Sequence, residues 1–122
     1  MMQLVDSCGW IAWLTDDLRA QHYAVPLADP ANVIVPTMVL AEVARWVQRE
    51  RGEAFALSVA AAMQQCPVVP LDAAIALLAA ELGLRHRLAM ADAVIYAHAQ
   101  TLQVPLLTSD GHFAGLDGVQ LL

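Results

Sequence analysis

The chain has 122 residues, of which 59% are hydrophobic and 15% charged, and its formal net charge is −6. This length suits one domain, residues 1–122, with one core. All six cationic residues are arginines, so the chain lacks the continuous basic surface of a sequence-independent DNA clamp. The apolar excess predicts either a protein partner, such as a second copy in a homodimer, or an Ala-rich helical interior.

Cysteine content and hydropathy indicate the compartment. Cys8 and Cys66 are too few for a disulfide scaffold or a four-thiolate zinc site, and we expect both to be small core residues in a reducing compartment. Asp6 interrupts the N-terminal apolar stretch, so no signal peptide is expected. Polar residues and Gly83 break the most apolar region, 68–84, so no membrane span is expected. These features predict a cytoplasmic protein that does not contact membranes.

Short apolar runs alternate with helical patterns along the whole chain. In chain order, the predicted elements are a strand over 2–6, helices over 10–18 and 20–28, a strand over 32–36, a helix over 37–51 with Leu40, Val43, Ala44 and Val47 on its core face, a helix over 53–65 after Gly52, a short strand over 68–71, helices over 72–84 and 89–103, and strands over 104–108 and 119–122. Pro70 favours an edge position for the third strand. Asp72 is expected to be the N-cap of the helix that follows, and Gly83 is expected near its C-cap.

Helices separate the apolar strands in this order. The pattern predicts an α/β fold with three layers, α/β/α, around a mostly parallel sheet of four to five strands. Right-handed crossovers should connect the strands. In such sheets the functional site lies beyond the carboxyl ends of the strands, where the strand order reverses.

Four acids fall where that edge of the sheet is predicted. Asp6 ends the first strand and Asp110 follows the fourth. Asp92 lies in the first turn of the helix that feeds the fourth strand, and Glu42 lies in the second turn of the helix after the second strand. All four can reach one edge, provided that the first and fourth strands are neighbours.

Each acid also has an ordinary structural explanation. Asp6 can cap the first helix, and Asp110 can belong to a turn with the glycine that follows it. Glu42 can pair with Arg45 or Arg49 on a solvated helix face. The fourth acid can be a first-turn residue that the helix dipole favours by about 0.3–1 kcal/mol.

Asp92 is unusual because it falls within an apolar stripe formed by Leu88, Ile95, Ala99 and Leu102. An unpaired carboxylate on a core-facing stripe costs several kcal/mol. Two carboxylates about 4 Å apart repel by about 4 kcal/mol at an effective dielectric constant near 20, so converging acids must take up protons or bind cations. Because the chain has no lysine, we expect a metal, and oxygen ligands favour Mg²⁺ or Mn²⁺ over zinc.

The histidines do not form a close zinc pattern; they are His22, His86, His98 and His112. His98 lies nearly opposite Asp92 on its helix and is not expected to be a ligand. His112 follows Asp110 by two residues, and either contacts a substrate or is a loop residue without a role.

Four segments in order resemble the PIN-domain ribonucleases, particularly VapC-like toxins of bacterial toxin–antitoxin pairs. VDSCGWIAWL resembles the family's opening strand, acid and helix, and PTMVLAEVARW resembles its glutamate helix. HRLAMADAVIYAHA resembles the family's Asp-Ala helix, and PLLTSDGHF resembles its closing Thr-x-Asp segment. The resemblance implies a metal site built by Asp6, Glu42, Asp92 and Asp110, with Ser7 and Thr108 as supporting hydroxyls.

Three positions depart from the pattern of this family. Cys8 stands where a second small hydroxyl or Asn is common, and Ala89 stands where a Ser often caps the Asp helix. His112 stands where some members carry a further acid, which weakens the expectation of a second metal site. None of these departures removes one of the four acids.

The resemblance implies Mg²⁺-dependent hydrolysis of RNA phosphodiester bonds, with Mn²⁺ as the other candidate cofactor. Water is then the nucleophile. It also implies a cognate antitoxin as partner, and contact with DNA only through that antitoxin.

A second hypothesis is a PIN-fold subunit whose main role is to bind an antitoxin, with little or no nuclease activity. Trp10 and Trp13 lie three apart on the first helix, and Trp46 lies on the Glu42 helix. One or more of them either lines an apolar groove for a partner helix or packs in the core. A phospho-acceptor signalling domain needs a lysine beside its acids, and the absence of lysine argues against that class.

Overall fold

The structure, a computed structural model, describes all residues from 1 to 122. Its strands and α-helices, in chain order, are β1 (Gln3–Val5), α1 (Ser7–Thr15), α2 (Ala20–Leu27), β2 (Val33–Pro36), α3 (Thr37–Arg51), α4 (Glu53–Met63), β3 (Val68–Val69), α5 (Ala73–His86), α6 (Met90–Leu102), β4 (Leu106–Thr108) and β5 (Val119–Leu121). Single 3₁₀ turns, Pro30–Asn32 and Gly111–Phe113, precede β2 and follow β4.

The five strands form one parallel sheet in the order β3-β2-β1-β4-β5. Leu4 of β1 lies opposite Ile34 of β2 on one side and Leu106 of β4 on the other. The first and fourth strands are therefore neighbours, and the strand order reverses between them. β3 lies at an edge, which agrees with the prediction from Pro70.

Helices flank the sheet in the predicted α/β/α arrangement. The buried hydrophobic side chains form a single cluster of 28 residues, which includes residues of the three inner strands β1, β2 and β4 and of all six helices. Val33, Ile34 and Val35 are all buried, because a strand with both faces covered has no solvent side. On α3 the fully buried positions are Val39, Val43 and Val47, so the predicted core face is displaced from Leu40 and Ala44, which are half-buried.

Helix α6 is enclosed on all sides along its middle. Every residue from Ala93 to Ala99 is buried, so the prediction of a single apolar stripe was wrong. Leu102, which was assigned to that stripe, is 36% exposed at the end of the helix. Asp92 is half-buried in the first turn of α6, where the helix meets the carboxyl edge of the sheet.

Two helix ends differ from the predictions. α1 begins at Ser7 rather than at residue 10, because the Asp6 carboxylate accepts the Ser7 N–H and initiates the helix. Asp72 caps α5 as predicted, through a bond from the Ile75 N–H. However, α5 continues through Gly83 to His86, and Arg87 takes the left-handed conformation (φ 57°) that ends it.

Several side chains lie on the surface despite their hydrophobicity. Leu18, Val25, Leu77 and Leu84 are between 74% and 95% exposed. None of the helices combines the length and hydrophobicity that a transmembrane segment requires.

The tryptophans and cysteines occupy different environments. Trp10 is buried in the core, whereas Trp13 is 41% exposed and stacks edge-on against it. Both cysteines are free thiols. Cys66 is buried in the core as predicted, but Cys8 is half-buried among polar groups, so the prediction for Cys8 was wrong.

Candidate metal centre

Asp6 is the most buried acid at the carboxyl edge of the sheet, with 3% of its surface exposed. Its Oδ1 accepts the Ser7 backbone N–H at 2.8 Å, and its Oδ2 accepts the Thr108 hydroxyl at 2.7 Å. The cap of α1 and the candidate site therefore share one carboxylate, so the capping explanation does not exclude a functional one.

Thr108 connects the ends of β1 and β4. Its hydroxyl is fully buried, donates to Asp6 and accepts the backbone N–H of Asp110 at 3.0 Å. One side chain thus sets the relative position of two acids that lie more than 100 residues apart in sequence. This contact supports the role expected for the hydroxyl.

Glu42 joins the same group through Ser7. The Ser7 hydroxyl donates to Glu42 Oε1 at 3.0 Å, and Glu42 is half-buried on α3. Glu42 forms no ion pair with Arg45 or Arg49, which argues against the alternative explanation of Glu42 as a surface ion-pair residue. Arg49 instead pairs with Glu50.

Asp92, Asp110 and His112 form a cluster in which one ligand atom of each lies within 4.8 Å of the others. Asp110 Oδ1 accepts the His112 backbone N–H at 2.9 Å and lies 2.9 Å from His112 Nδ1. The sequence left open whether His112 has any role. The structure places its imidazole beside two of the four acids.

Electrostatics show that the acids face one another. Burial and, after it, the charges of Asp6, Asp110 and Glu42 together raise the pKa of Asp92 to about 6, against a smaller opposing effect of His112. Burial also raises the pKa values of Asp6 and Glu42. No arginine forms an ion pair with any of these carboxylates.

Two further side chains contact the residues of this site, and neither was predicted from the sequence to be near it. Cys8 Sγ lies 3.4 Å from both Asp6 Oδ2 and Thr108 Oγ1, and burial raises the pKa of this thiol. The Tyr23 hydroxyl lies 2.5 Å from Ser109 Oγ and thereby anchors the residue before Asp110. No local pattern marks Tyr23, since its partner lies 86 residues away.

The donor set fits a hard divalent cation. Asp92, Asp110 and His112 lie within ligand distance of one another, and Asp6 and Glu42 lie near enough for their charges to act on Asp92. None of these carboxylates pairs with an arginine, and carboxylate oxygens are the ligands that Mg²⁺ and Mn²⁺ prefer. His98 does not belong to the Asp92, Asp110 and His112 cluster; it is fully buried, with Nδ1 2.9 Å from the Val94 carbonyl oxygen.

The PIN domain family model matches residues 4–119. The chain belongs to the PIN-domain family. The match includes all four acids, and the five-stranded parallel sheet agrees with it. A search of curated proteins by sequence gives no significant match.

Solved structures with the same PIN fold include bacterial toxin–antitoxin proteins. A toxin–antitoxin complex from Klebsiella pneumoniae is 24% identical with a TM-score of 0.79, over 97% of this chain and 95% of that chain. A sarcin-ricin-loop-cleaving VapC toxin from Mycobacterium tuberculosis is 23% identical with a TM-score of 0.78, over 97% of both chains. A promoter-bound VapBC complex from Rickettsia felis is 15% identical with a TM-score of 0.76, over 100% of this chain and 98% of that chain.

Proposed function

We propose that this PIN protein is a divalent-metal-dependent endoribonuclease that hydrolyses RNA phosphodiester bonds and acts as the toxin of a toxin–antitoxin pair. The observation that carries the proposal is the half-buried carboxyl of Asp92, which faces three further carboxylates and no paired arginine. Such an arrangement is unfavourable in a purely structural site and favourable around a cation.

The four acids would have distinct roles. Asp6, Asp92 and Asp110 would hold one or two Mg²⁺ ions, with Mn²⁺ as a substitute, and Glu42 would ligate directly or orient the attacking water. When bound, the metal lowers the pKa of a water molecule and stabilises negative charge on the phosphoryl oxygens. The Ser7 hydroxyl donates a hydrogen bond to Glu42 Oε1, and burial raises the pKa of Glu42 above its ordinary value.

Cleavage of total RNA tests this proposal. The wild-type protein should cut RNA with Mg²⁺ or Mn²⁺ but not with EDTA, and Asp6→Ala should not cut it. Because water is the nucleophile, the products should carry 5′-phosphate and 3′-hydroxyl ends. Full activity in EDTA, or 2′,3′-cyclic phosphate ends, would contradict the mechanism.

The partners follow from the same proposal. We infer a cytoplasmic protein that forms a homodimer and binds a cognate antitoxin, and that reaches DNA only through that antitoxin. The structural likeness to a toxin–antitoxin complex and to a VapBC complex supports a protein partner, and the net charge of −6 argues against direct DNA binding.

The alternative is a PIN subunit that mainly binds an antitoxin, with little or no nuclease activity. The 41% exposed Trp13 favours it, because exposed tryptophan is typical of interfaces. Light scattering of the chain alone, beside the RNA assay, separates the two functions. A self-associating chain without metal-dependent cleavage supports the alternative, whereas a stable monomer that cleaves RNA contradicts it.

A further inference from the structure

A shallow groove between α1 and α3 includes Glu42, one of the four acids. It is lined by Ser7, Ile11, Glu42, Arg45, Trp46 and Arg49, and we call it the α1–α3 groove. Its α1 residues are four apart and its α3 residues are three or four apart, so each set forms one face of its helix.

The groove is continuous with the candidate metal centre. Ser7 and Glu42 belong to both, because the Ser7 hydroxyl donates to Glu42 and the Ser7 N–H donates to Asp6. Arg49 follows Glu42 by seven residues, so the groove extends about 10 Å along α3 from the acids. A polymer cut at the acids would have to cross an adjoining surface, and this groove begins there.

The cations of the groove are available to a ligand. Arg45 is exposed and forms no ion pair. Arg49 contacts only Glu50, and both side chains of that pair are about half exposed to solvent or more. Such surface pairs are readily exchanged for a stronger anion. In a chain with net charge −6, the unpaired Arg45 and the weakly paired Arg49 place two positive charges beside an acidic centre.

We propose that the α1–α3 groove binds the RNA strand next to the cleaved bond, with Arg45 and Arg49 on backbone phosphates and half-buried Trp46 stacking against a base. This inference rests on the proposed function. An acidic peptide would also pair with the arginines. The continuity with the acids favours RNA, because the strand that is cut at the acids must itself occupy the first part of the groove.

The salt dependence of RNA binding tests the groove. Fluorescence anisotropy of a labelled single-stranded RNA would be measured at several salt concentrations with Mg²⁺, in an Asp92→Asn background so that the RNA stays intact. Arg45→Ala/Arg49→Ala should weaken binding, and its plot of log K against log salt should be shallower by about 1.4, since two phosphate contacts are lost. Arg19→Ala/Arg51→Ala removes the same charge outside the groove, and its slope should stay close to that of the parent.

Every outcome decides the inference. If both double variants change the slope equally, the effect is one of net charge and the groove proposal is wrong. If the groove variant keeps its RNA slope but loses binding of a polyglutamate peptide, the occupant is an acidic protein segment and the proposal is overturned. Absence of RNA cleavage by the wild type, together with the shallower slope, refutes the nuclease and leaves an RNA-binding groove.

Discussion

Asp92 shows how one carboxyl group can serve a site at the expense of the fold. It is half-buried in the first turn of α6, and three other carboxylates raise its pKa beyond the effect of burial alone. The helix dipole offsets only part of that cost. A bound cation would remove the remainder, so the cost of the Asp92 charge to the stability of the protein depends on metal binding.

Replacing Asp92 with Asn should stabilise the metal-free protein and abolish cleavage. The substitution keeps the shape and removes the repelled charge, so we expect a gain of about 1–2 kcal/mol in the free energy of unfolding at neutral pH, after allowance for solvent screening. Urea unfolding in EDTA measures it. Glu53→Gln is the control, because Glu53 is a first-turn acid of α4 that the helix dipole favours. This variant should lose up to about 1 kcal/mol in the free energy of unfolding. Lower metal-free stability for Asp92→Asn would favour the helix-dipole explanation.

The same carboxyl should make the metal-free protein less stable as pH rises from about 4 to about 6. The folded protein keeps the Asp92 proton until its pKa of about 6, whereas the unfolded chain releases it near the ordinary value of 3.8. Folding therefore takes up a proton in this window, and stability falls as pH increases through it. Unfolding curves across the window should show a smaller fall for Asp92→Asn. An equal fall in both proteins would contradict the assignment to Asp92.

Thr108→Val should weaken both the fold and the metal centre. The substitution keeps the volume but removes the hydroxyl that Asp6 and the Asp110 N–H share, so we expect a loss of about 1–3 kcal/mol in stability and weaker binding of Mg²⁺. Thr108→Ser keeps the hydroxyl and should retain most of the metal affinity. Calorimetric titration with Mg²⁺ compares the two variants, and equal affinities would show that the hydroxyl does not position the acids.

At the scale of the element, the sequence predicted the ends of those helices that residues adjacent in the chain delimit. The bounds of α3 agree with the prediction because Pro36 and Gly52 delimit it within the sequence. The helix that was predicted over 72–84, with Gly83 near its C-cap, extends to His86 in the structure, where α5 packs against α6. Residues 104 and 105 were predicted as strand but precede β4, since pairing with neighbouring strands decides where a strand begins.

The packing of α1 on α2 depends on Gly9. A Cβ atom at this position would overlap the Tyr23 ring and lie 2.7 Å from Val5. Gly9→Ala should therefore lower the free energy of unfolding by about 1–3 kcal/mol, because α1 must move from a close-packed contact. Gly111→Ala, where a Cβ meets no atom within 4 Å, is the matched control. Equal thermal melting of both variants would mean that α1 adjusts freely.

At the scale of the whole molecule, the four acids were predictable because each follows a strand or opens a helix at the same edge of the sheet. The hydrogen bonds that hold the residues of the site together were not predictable. The Ser7–Glu42 bond spans 35 residues and the Tyr23–Ser109 bond spans 86, and no spacing rule reports such pairs. The position of β1 between β2 and β4 brings the pairs together, and strand order is a property of the complete fold.

Metal should stabilise the entire fold, since its ligands come from opposite ends of the chain. We expect Mg²⁺ to raise the melting temperature of the wild-type protein with increasing concentration, as a ligand specific to the folded state does. EDTA should reverse the shift. Asp110→Asn should reduce the response, whereas Asp117→Asn, which alters an acid outside the cluster, should leave it unchanged. A shift of equal size in both variants would indicate general ionic effects.

The hydroxyl contact between Thr108 and Asp6 joins two residues that the ribosome adds 102 positions apart. A nascent chain that has not yet reached Thr108 lacks both the hydroxyl that holds Asp6 and the acid Asp110. If the protein is a nuclease, a nascent chain would therefore not cleave RNA until both Thr108 and Asp110 have been added and have folded against Asp6.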